Sequence, residues 1–193
     1  MRLQLSNLII ATHNRGKLAE IQTLLGSRIP NISSAADHGL PEPEETGKTF
    51  HENAALKALA AARATGILAL ADDSGLCVPA LGGDPGIYSA RWAPNKNFQI
   101  AVDRIFSILG ADQTPAEFVC VLALARPNGE VVYAEGYCTG TLFPTPRGTD
   151  GFGYDPYFVP NNYNKTFAEL GSTVKDKISH RALAFQDLIA RYL

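Results

Sequence analysis

A short apolar run that leads into two adjacent carboxylates constrains the fold of this chain most strongly. Residues 67–71 are five small or branched apolar residues in succession, which predicts a strand buried on both faces. Asp72 and Asp73 follow at once, at the predicted end of this strand. Because aspartate is depleted in strands and like charges repel, the pair has an energetic cost there that needs a reason. With Ser74 and Gly75 after them, two interpretations are open: a polar turn, or a cation site in which the carboxylates bind Mg²⁺.

Composition limits the class of protein. The chain has 193 residues, of which 46% are hydrophobic and 19% charged, with a formal net charge of −2. This predicts a single domain over residues 1–193, with at most a small additional lobe. The near-neutral balance argues against a nucleic-acid partner, because binding a phosphate backbone requires an excess of basic residues. No segment approaches the roughly 18 to 20 apolar residues of a membrane span, and residues 1–5 lead into a strand without a signal-peptide layout.

The three cysteines indicate a reducing compartment. Cys77, Cys120 and Cys138 are odd in number and lack the C-x-x-C spacing of common zinc and redox motifs. Each stands among apolar or small residues, so we predict three reduced thiols, with neither a disulfide nor a zinc site. Reduced cysteines are typical of the cytoplasm, which is the predicted location.

The chain alternates between predicted strands and helices. Strands are predicted at residues 7–11, 67–71, 118–125 and 131–138, and helices at residues 18–25, 49–65, 97–110 and from 180 onward. The Asn-Gly pair between the last two strands is the strongest short signal for a hairpin. The pattern predicts an α/β fold with a mixed sheet, parallel in part and containing one antiparallel pair.

Two predicted helices begin with positive charge, where the helix dipole disfavours it. Lys17 ends the polar turn at residues 12–17, and His180 and Arg181 follow Ser179, a plausible N-cap. A strand-to-helix turn aims backbone N–H groups at anions, so cations there are expected if a negative ligand binds. An ordinary connection with a solvated lysine is the alternative interpretation of the first turn.

Three further features are candidates for ligand binding. Lys57 shares a helix face with Asn53 and is a candidate phosphate ligand. Glu44 and Glu45 stand in a loop, where the simplest interpretation is solvated charge. Residues 148–156 interleave glycines with two aromatic residues, which suggests a rigid platform for a flat ligand. A nucleoside triphosphate would use all of these groups: cations for its phosphates, carboxylates for Mg²⁺ and an aromatic surface for its base.

Six motifs resemble those of the non-canonical purine NTP pyrophosphatases, the inosine triphosphatase family. They are Thr12-x-Asn14-x-x-Lys17, Glu44-Glu45-Thr46-Gly47, Ala71-Asp72-Asp73-Ser74-Gly75-Leu76, Gly83-x-Pro85-Gly86-x-Tyr88-Ser89, Gly151-Phe152-Gly153-Tyr154-Asp155-Pro156 and Ser179-His180-Arg181. They occur in the family's order along nearly the whole chain. The resemblance implies hydrolysis of ITP, dITP and XTP to the monophosphate and pyrophosphate, with Mg²⁺, by a cytoplasmic homodimer. It also implies a long mixed sheet flanked by helices and a substrate cleft between two lobes.

The resemblance further implies a role for each matching residue. Asp73 is expected to be the proton acceptor and a metal ligand, and one of Glu44 and Glu45 the other metal ligand. The triphosphate would be held by Thr12, His13, Asn14, Arg15, Gly16, Lys17, Lys57 and Ser74. The base and sugar would be held by Phe152, Gly153, Tyr154, Asp155, Lys175, His180 and Arg181. His13 replaces a glycine found in many members, which affects how closely the first loop can approach the phosphates.

The sequence leaves alternatives open for the purine base that is bound and for the reaction that is catalysed. Donors such as Lys175 or Arg181 facing purine position 6 would favour the keto oxygen of hypoxanthine or xanthine and reject the amino group of adenine. One alternative activity is that of a nucleotide phosphatase that releases orthophosphate with the same Mg²⁺ and carboxylates. The other is a nucleotide-binding sensor without turnover, which would have no need of a water-activating carboxylate such as Asp73.

Overall fold

The computed structural model describes residues 6–192, which form a six-stranded mixed sheet with helices. The strands are β1 (Asn7–Ile10), β2 (Asn31–Ser34), β3 (Ala69–Cys77), β4 (Thr114–Ala125), β5 (Val131–Leu142) and β6 (Phe158–Pro160). The helices are α1 (Arg15–Leu25), α2 (Phe50–Thr65), α3 (Phe98–Leu109), α4 (Phe167–Leu170), α5 (Ser172–Ile178) and α6 (His180–Tyr192). The predicted mixed α/β fold is therefore confirmed. The prediction for residues 1–5 lies outside the described part of the chain.

The sheet has the strand order β2-β1-β3-β4-β5-β6. β1 runs parallel to both β2 and β3, whereas β5 and β6 are antiparallel. Between β4 and β5 the Gly129 N–H donates to the Arg126 carbonyl at 3.0 Å, and the Arg126 N–H donates to the Glu130 carbonyl at 2.8 Å. The Asn-Gly hairpin is thus confirmed. Within residues 6–192, no helix is long and apolar enough to cross a lipid bilayer.

The chain divides into two compact units, each built from separate segments. Unit 1 contains the chain up to Asp73, residues 120–136 and the chain from Arg181, and unit 2 contains Ser74–Val119 and Tyr137–His180. Neither unit is a continuous part of the sequence. The single domain, and the cleft between two lobes, stay predictions.

Each unit has its own apolar core. The core of unit 1 joins strand residues to α1 and α6, and includes Leu8, Ile10, Ile21, Leu25, Leu70, Leu122, Phe185 and Leu188. The core of unit 2 joins α3 to strand and loop residues, and includes Leu76, Val102, Ile105, Phe118, Tyr157, Phe158 and Phe167. Full burial of a Leu, Ile or Phe side chain stabilises a fold by about 1.5–3 kcal/mol, so these helices are held mainly by their apolar faces.

Asp72 and Asp73 lie within β3, which corrects their predicted place at the end of a strand. β3 continues to Cys77, so the interpretation of residues 72–75 as a turn is wrong. The two aspartates are 2% and 5% exposed. Carboxylates are accepted inside a strand when cations compensate their charge, and such cations surround both residues here.

Candidate active site

Asp72 is the centre of a cluster of four charged side chains in unit 1, in which Asp72 and Arg181 are buried and Lys17 and Glu20 are half-buried. Lys17 Nζ lies 3.2 Å from Asp72 Oδ2, and Arg181 Nη2 donates to the same oxygen at 3.0 Å. Arg181 Nη1 donates to Glu20 Oε2. Burial alone would lower the pKa of Arg181, but the charges of Asp72 and Glu20 outweigh it and raise the pKa above its usual range. The cluster therefore fixes the first turns of α1 and α6 to the middle of β3.

Asp73 is the centre of a second group, which includes Lys57 of α2 and Glu45. Lys57 Nζ donates to Asp73 Oδ1 at 3.2 Å and to Glu45 Oε1 at 2.7 Å. Burial raises the pKa of Asp73, and the charge of Glu45 adds to this, whereas Lys57 and Lys17 oppose it. Asp73 Oδ2 is buried and has no hydrogen-bond partner among the described residues. A carboxylate with a raised pKa and an unused buried oxygen is suited to accept a proton or a cation.

The structure distinguishes the two glutamates of the loop before α2. Glu45 is half-buried and pairs with Lys57, whereas Glu44 is exposed. Among residues 6–192 there is no group of three or more His, Cys, Asp or Glu side chains placed to hold a metal ion. Asp73 and Glu45 are thus a two-carboxylate arrangement, which is the kind that Mg²⁺ uses when substrate phosphates and water complete its coordination.

The first loop is ordered by its own side chains. Asn14 is the N-cap of α1, and its Oδ1 accepts the N–H groups of Gly16 at 2.9 Å and Lys17 at 3.2 Å. Thr12 Oγ1 accepts the Asn14 N–H at 3.2 Å, and His13 Nε2 lies 3.0 Å from the Leu40 carbonyl oxygen. The helix begins at Arg15, so the predicted turn is shorter than residues 12–17 and Arg15, Gly16 and Lys17 form the first helical turn.

In unit 2, Asp155 joins an aromatic ring to a buried lysine. Asp155 Oδ2 accepts from Lys175 Nζ at 2.7 Å and from the Phe152 N–H at 2.8 Å. Lys175 Nζ lies 4.5 Å from the centroid of the Phe152 ring, within the range of a cation–π interaction. Gly153 follows Phe152 with a φ of 69°, a left-handed conformation that glycine adopts without strain. Three of the predicted base-pocket residues therefore form one connected group.

Two other predicted residues are buried in the core of unit 2. The Tyr154 hydroxyl donates to the Ser89 carbonyl at 2.9 Å, and its ring contacts Phe98 edge-on at a centroid distance of 4.9 Å. Burial raises the pKa of Tyr154 above its usual range. The His180 ring stacks on Phe118 at 4.7 Å with an interplanar angle of 10°. Both rings therefore pack inside unit 2.

Sequence reasoning did not single out Glu20, and it noted Asn53 only as a neighbour of Lys57. Glu20 lies three residues after Lys17, a spacing that places both on one side of α1. Its contact with Arg181 spans 161 residues of sequence, so local pattern could not reveal it. Ser74, which was predicted to bind phosphate, is half-buried on β3 directly after Asp73.

The fold and the charged clusters define a class of protein. It is an α/β protein whose central strand carries two buried carboxylates compensated by lysine and arginine. A model described as the Ham1 family matches residues 8–191, so the chain belongs to the Ham1 family. This confirms the family relationship inferred from the six motifs.

Similar proteins cover almost the whole chain. A dITP/XTP pyrophosphatase of Rhodospirillum centenum is 56% identical over 189 residues, which cover 95% of this chain and 93% of that protein. A protein of the same name from Zymomonas mobilis is 48% identical, covering 100% of this chain and 94% of its own. The Ham1 protein structure from Coxiella burnetii gives a TM-score of 0.87 at 37% identity, covering 96% of this chain and 98% of that one. The Staphylococcus aureus Ham1 structure gives 0.84 at 38% identity, covering 96% and 97%.

Proposed function

We propose that this protein hydrolyses the non-canonical purine nucleoside triphosphates ITP, dITP and XTP to the monophosphate and pyrophosphate, which removes them from the nucleotide pool. Relatives that are 48–56% identical carry the name dITP/XTP pyrophosphatase. The observation that carries the proposal is the environment of Asp73, a buried carboxylate of raised pKa beside Lys57 and Glu45.

In the proposed reaction, water attacks the α-phosphorus and Asp73 accepts its proton. The bond from the α-phosphorus to the bridging oxygen breaks, and pyrophosphate leaves with the bonding electrons. The raised pKa of Asp73 brings it closer to neutral pH, which favours proton acceptance. Lys17 and Lys57 would offset the phosphate charge, which is the main contribution a protein makes to phosphoryl transfer.

Asp73 and Glu45 would hold the Mg²⁺ ion. They fit it because both carboxylates converge on one positive charge, the Lys57 ammonium, and because the buried Asp73 Oδ2 has no hydrogen-bond partner in the described chain. When bound, Mg²⁺ would neutralise phosphate charge and orient the phosphates. Of the two candidate glutamates, the exposed Glu44 is the less suited.

The base would bind near Phe152, Lys175 and Asp155. Phe152 offers a half-buried ring, and Lys175 offers a donor for the keto oxygen at purine position 6. An adenine amino group would leave that donor without a partner, and such mismatches give strong rejection.

The wider setting of the enzyme is part of the same proposal. We infer a single-domain cytoplasmic homodimer that has no nucleic-acid partner. The composition supports the last point, because 17 basic and 19 acidic residues leave no positive excess for a phosphate backbone.

The test is to incubate the protein with Mg²⁺ and dITP, XTP, ATP or GTP and to measure pyrophosphate and orthophosphate separately. We expect pyrophosphate from dITP and XTP, with ATP and GTP nearly untouched. Asp73→Asn should lower kcat by at least about 100-fold, the usual contribution of a general base. Asp187→Asn, which alters a half-buried carboxylate paired with Arg191, is the matched control.

Each alternative activity has its own result in this experiment. Orthophosphate as the first product would identify a nucleotide phosphatase. Tight binding of dITP without either product, in the parent as well as in Asp73→Asn, would identify a sensor.

A further inference from the structure

We propose that Asn53 is a positioning residue that acts through Gly47 to hold Glu45 beside Asp73, and so sets the affinity of the site for a divalent cation. The proposal rests on the proposed function, in which Glu45 and Asp73 bind the ion. It concerns the loop at residues 44–48 and the first two turns of α2, all of which belong to unit 1.

Asn53 fixes this loop to the helix. It is 1% exposed, and its Oδ1 accepts the Gly47 N–H at 2.9 Å. The next backbone N–H, that of Lys48, donates to Glu52 Oε2 at 2.5 Å. Two successive backbone groups of the loop are therefore bound by two successive side chains of α2. These two contacts restrict the loop backbone and so offset part of the conformational entropy that is lost when the loop is ordered.

Gly47 is required at this point because there is no room for a side chain. A Cβ atom there would lie 2.6 Å from Asn53 Oδ1, 2.7 Å from Glu52 Cβ and 2.9 Å from Asn53 N. The φ of Gly47 lies outside the left-handed region, so the requirement is steric and not conformational. Contact this close means that the loop backbone lies directly against the start of α2.

The same helix carries the residue that Glu45 meets. Lys57 follows Asn53 by one turn of α2, and it donates to Glu45 at 2.7 Å and to Asp73 at 3.2 Å. Gly47 is two residues after Glu45, so the Asn53 contact anchors the chain within about 7 Å of the glutamate backbone. Residues that orient metal ligands in this way typically change metal affinity about 10–100-fold when they are replaced.

The experiment compares Asn53→Ala and Gly47→Ala with the parent, using Mn²⁺ binding without nucleotide, followed by electron paramagnetic resonance, as the readout. We expect the Mn²⁺ dissociation constant to rise about ten-fold or more in both variants. The Mg²⁺ concentration for half-maximal pyrophosphate release should rise in parallel, while kcat at saturating Mg²⁺ stays within about three-fold of the parent, since no group that touches substrate has changed.

The matched control is Asn128→Ala. Asn128 Oδ1 also accepts a backbone N–H in a loop of unit 1, that of Glu130 at 3.0 Å, but it lies in the β4–β5 hairpin. We expect this variant to bind Mn²⁺ like the parent. The double variant with Asn53→Ala and Gly47→Ala should bind Mn²⁺ about as tightly as the single variant with the lower affinity, because both changes break the same contact.

Parental Mn²⁺ affinity in a folded Gly47→Ala protein would overturn the proposal, and this variant decides the matter if Asn53→Ala does not fold. Parental affinity in Glu45→Gln would also overturn it, because Glu45 would then not be a ligand. Pyrophosphate release from dITP by the parent protein would leave the proposed function intact in either case.

Discussion

At the scale of single residues, two arginine–carboxylate pairs of unit 1 have the same nitrogen–oxygen distance but differ in burial. Arg181 Nη2 and Asp72 Oδ2 are 3.0 Å apart, as are Arg126 Nη1 and Glu130 Oε2. The side chains of the first pair are 2% and 0% exposed, and those of the second are 40% and 63% exposed. A carboxylate that loses its partner in the interior cannot recover the lost interaction from water, whereas an exposed one can.

We therefore predict very different effects for the two corresponding variants. Arg181→Leu should lower the free energy of unfolding by about 3–5 kcal/mol, because it leaves Asp72 and Glu20 without a main partner. Arg126→Leu should lower it by less than about 1 kcal/mol. Urea unfolding without nucleotide measures both, and similar losses in the two variants would contradict the argument.

The cysteines give a prediction that depends on pH. Burial, with a smaller effect from the charge of Glu117, raises the pKa of Cys77 and of Cys138 from 9.0 to about 11. The folded protein therefore holds these protons more tightly than the unfolded chain does. Their contribution to the unfolding free energy is fully present below about pH 9 and is lost as the pH rises towards 11.

The same shift is visible in thiol chemistry. Iodoacetamide labelling of Cys77 and Cys138, followed by mass spectrometry, should be slow in the native protein. Its rate should still rise about ten-fold per pH unit at pH 9, because the reactive thiolate remains a minor form. In urea the rate should level off near the ordinary thiol pKa. A native rate that levels off at the same pH as the unfolded rate would contradict the raised pKa values.

At the scale of secondary structure, helices with local start and stop signals were predictable. Thr49 caps α2 by accepting the Glu52 N–H at 3.1 Å, and Gly110 ends α3 in a left-handed conformation with a φ of 62°. β2, β6, α4 and α5 were not predicted. β2 and β6 are four and three residues long, and α4 has four residues, so each shows too few repeats of its pattern to be recognised from periodicity.

The short helix α4 depends on its cap, which gives a further prediction. Thr166 Oγ1 accepts the Glu169 N–H at 3.2 Å and donates to the Arg147 carbonyl at 2.7 Å, and its own N–H donates to Glu169 at 2.8 Å. Thr166→Ala should lower the free energy of unfolding by about 1–2 kcal/mol. Thr166→Ser keeps the hydroxyl and should therefore retain most of the stability that the cap provides. Urea unfolding at pH 7 measures both, and equal losses would show that the hydroxyl is not responsible.

The cap should also weaken in acid. The hydrogen bond from the Thr166 N–H lowers the pKa of Glu169, so the folded protein favours the ionised form. This contribution is present above the ordinary carboxyl pKa and is lost as the pH falls through the lowered one.

At the scale of the whole molecule, the charge of the proposed metal site is already compensated without a metal ion. Lys57 bridges Glu45 and Asp73, and Lys17 and Arg181 pair with Asp72. Removal of divalent cations should therefore abolish catalysis without unfolding the protein. In this respect the site differs from structural metal centres, in which metal binding supplies much of the free energy that stabilises the fold.

We predict that EDTA lowers pyrophosphate release from dITP by at least about 100-fold, since Mg²⁺ would supply most of the phosphate charge neutralisation. The midpoint of thermal unfolding should change by less than about 4 °C, which corresponds to under about 1 kcal/mol for a chain of this size. Added Mg²⁺ should restore activity. A large fall in the unfolding midpoint with EDTA would show that a metal ion supports the fold.

The sequence by itself determined the α/β class, the main helices and hairpin, and the family. These follow from periodicity, caps and motifs, whose signals lie within a few neighbouring residues. Only the tertiary structure decided that the aspartate pair lies within β3, that Glu45 and not Glu44 meets Lys57, and that Glu20 meets Arg181. The physical reason is that a buried charge is acceptable only beside its counter-charge, and here the counter-charges come from other elements, α1, α2 and α6. The contact of Arg181 with Asp72 spans 109 residues, and even that of Lys57 with Asp73 spans 16, which is beyond the reach of local sequence patterns.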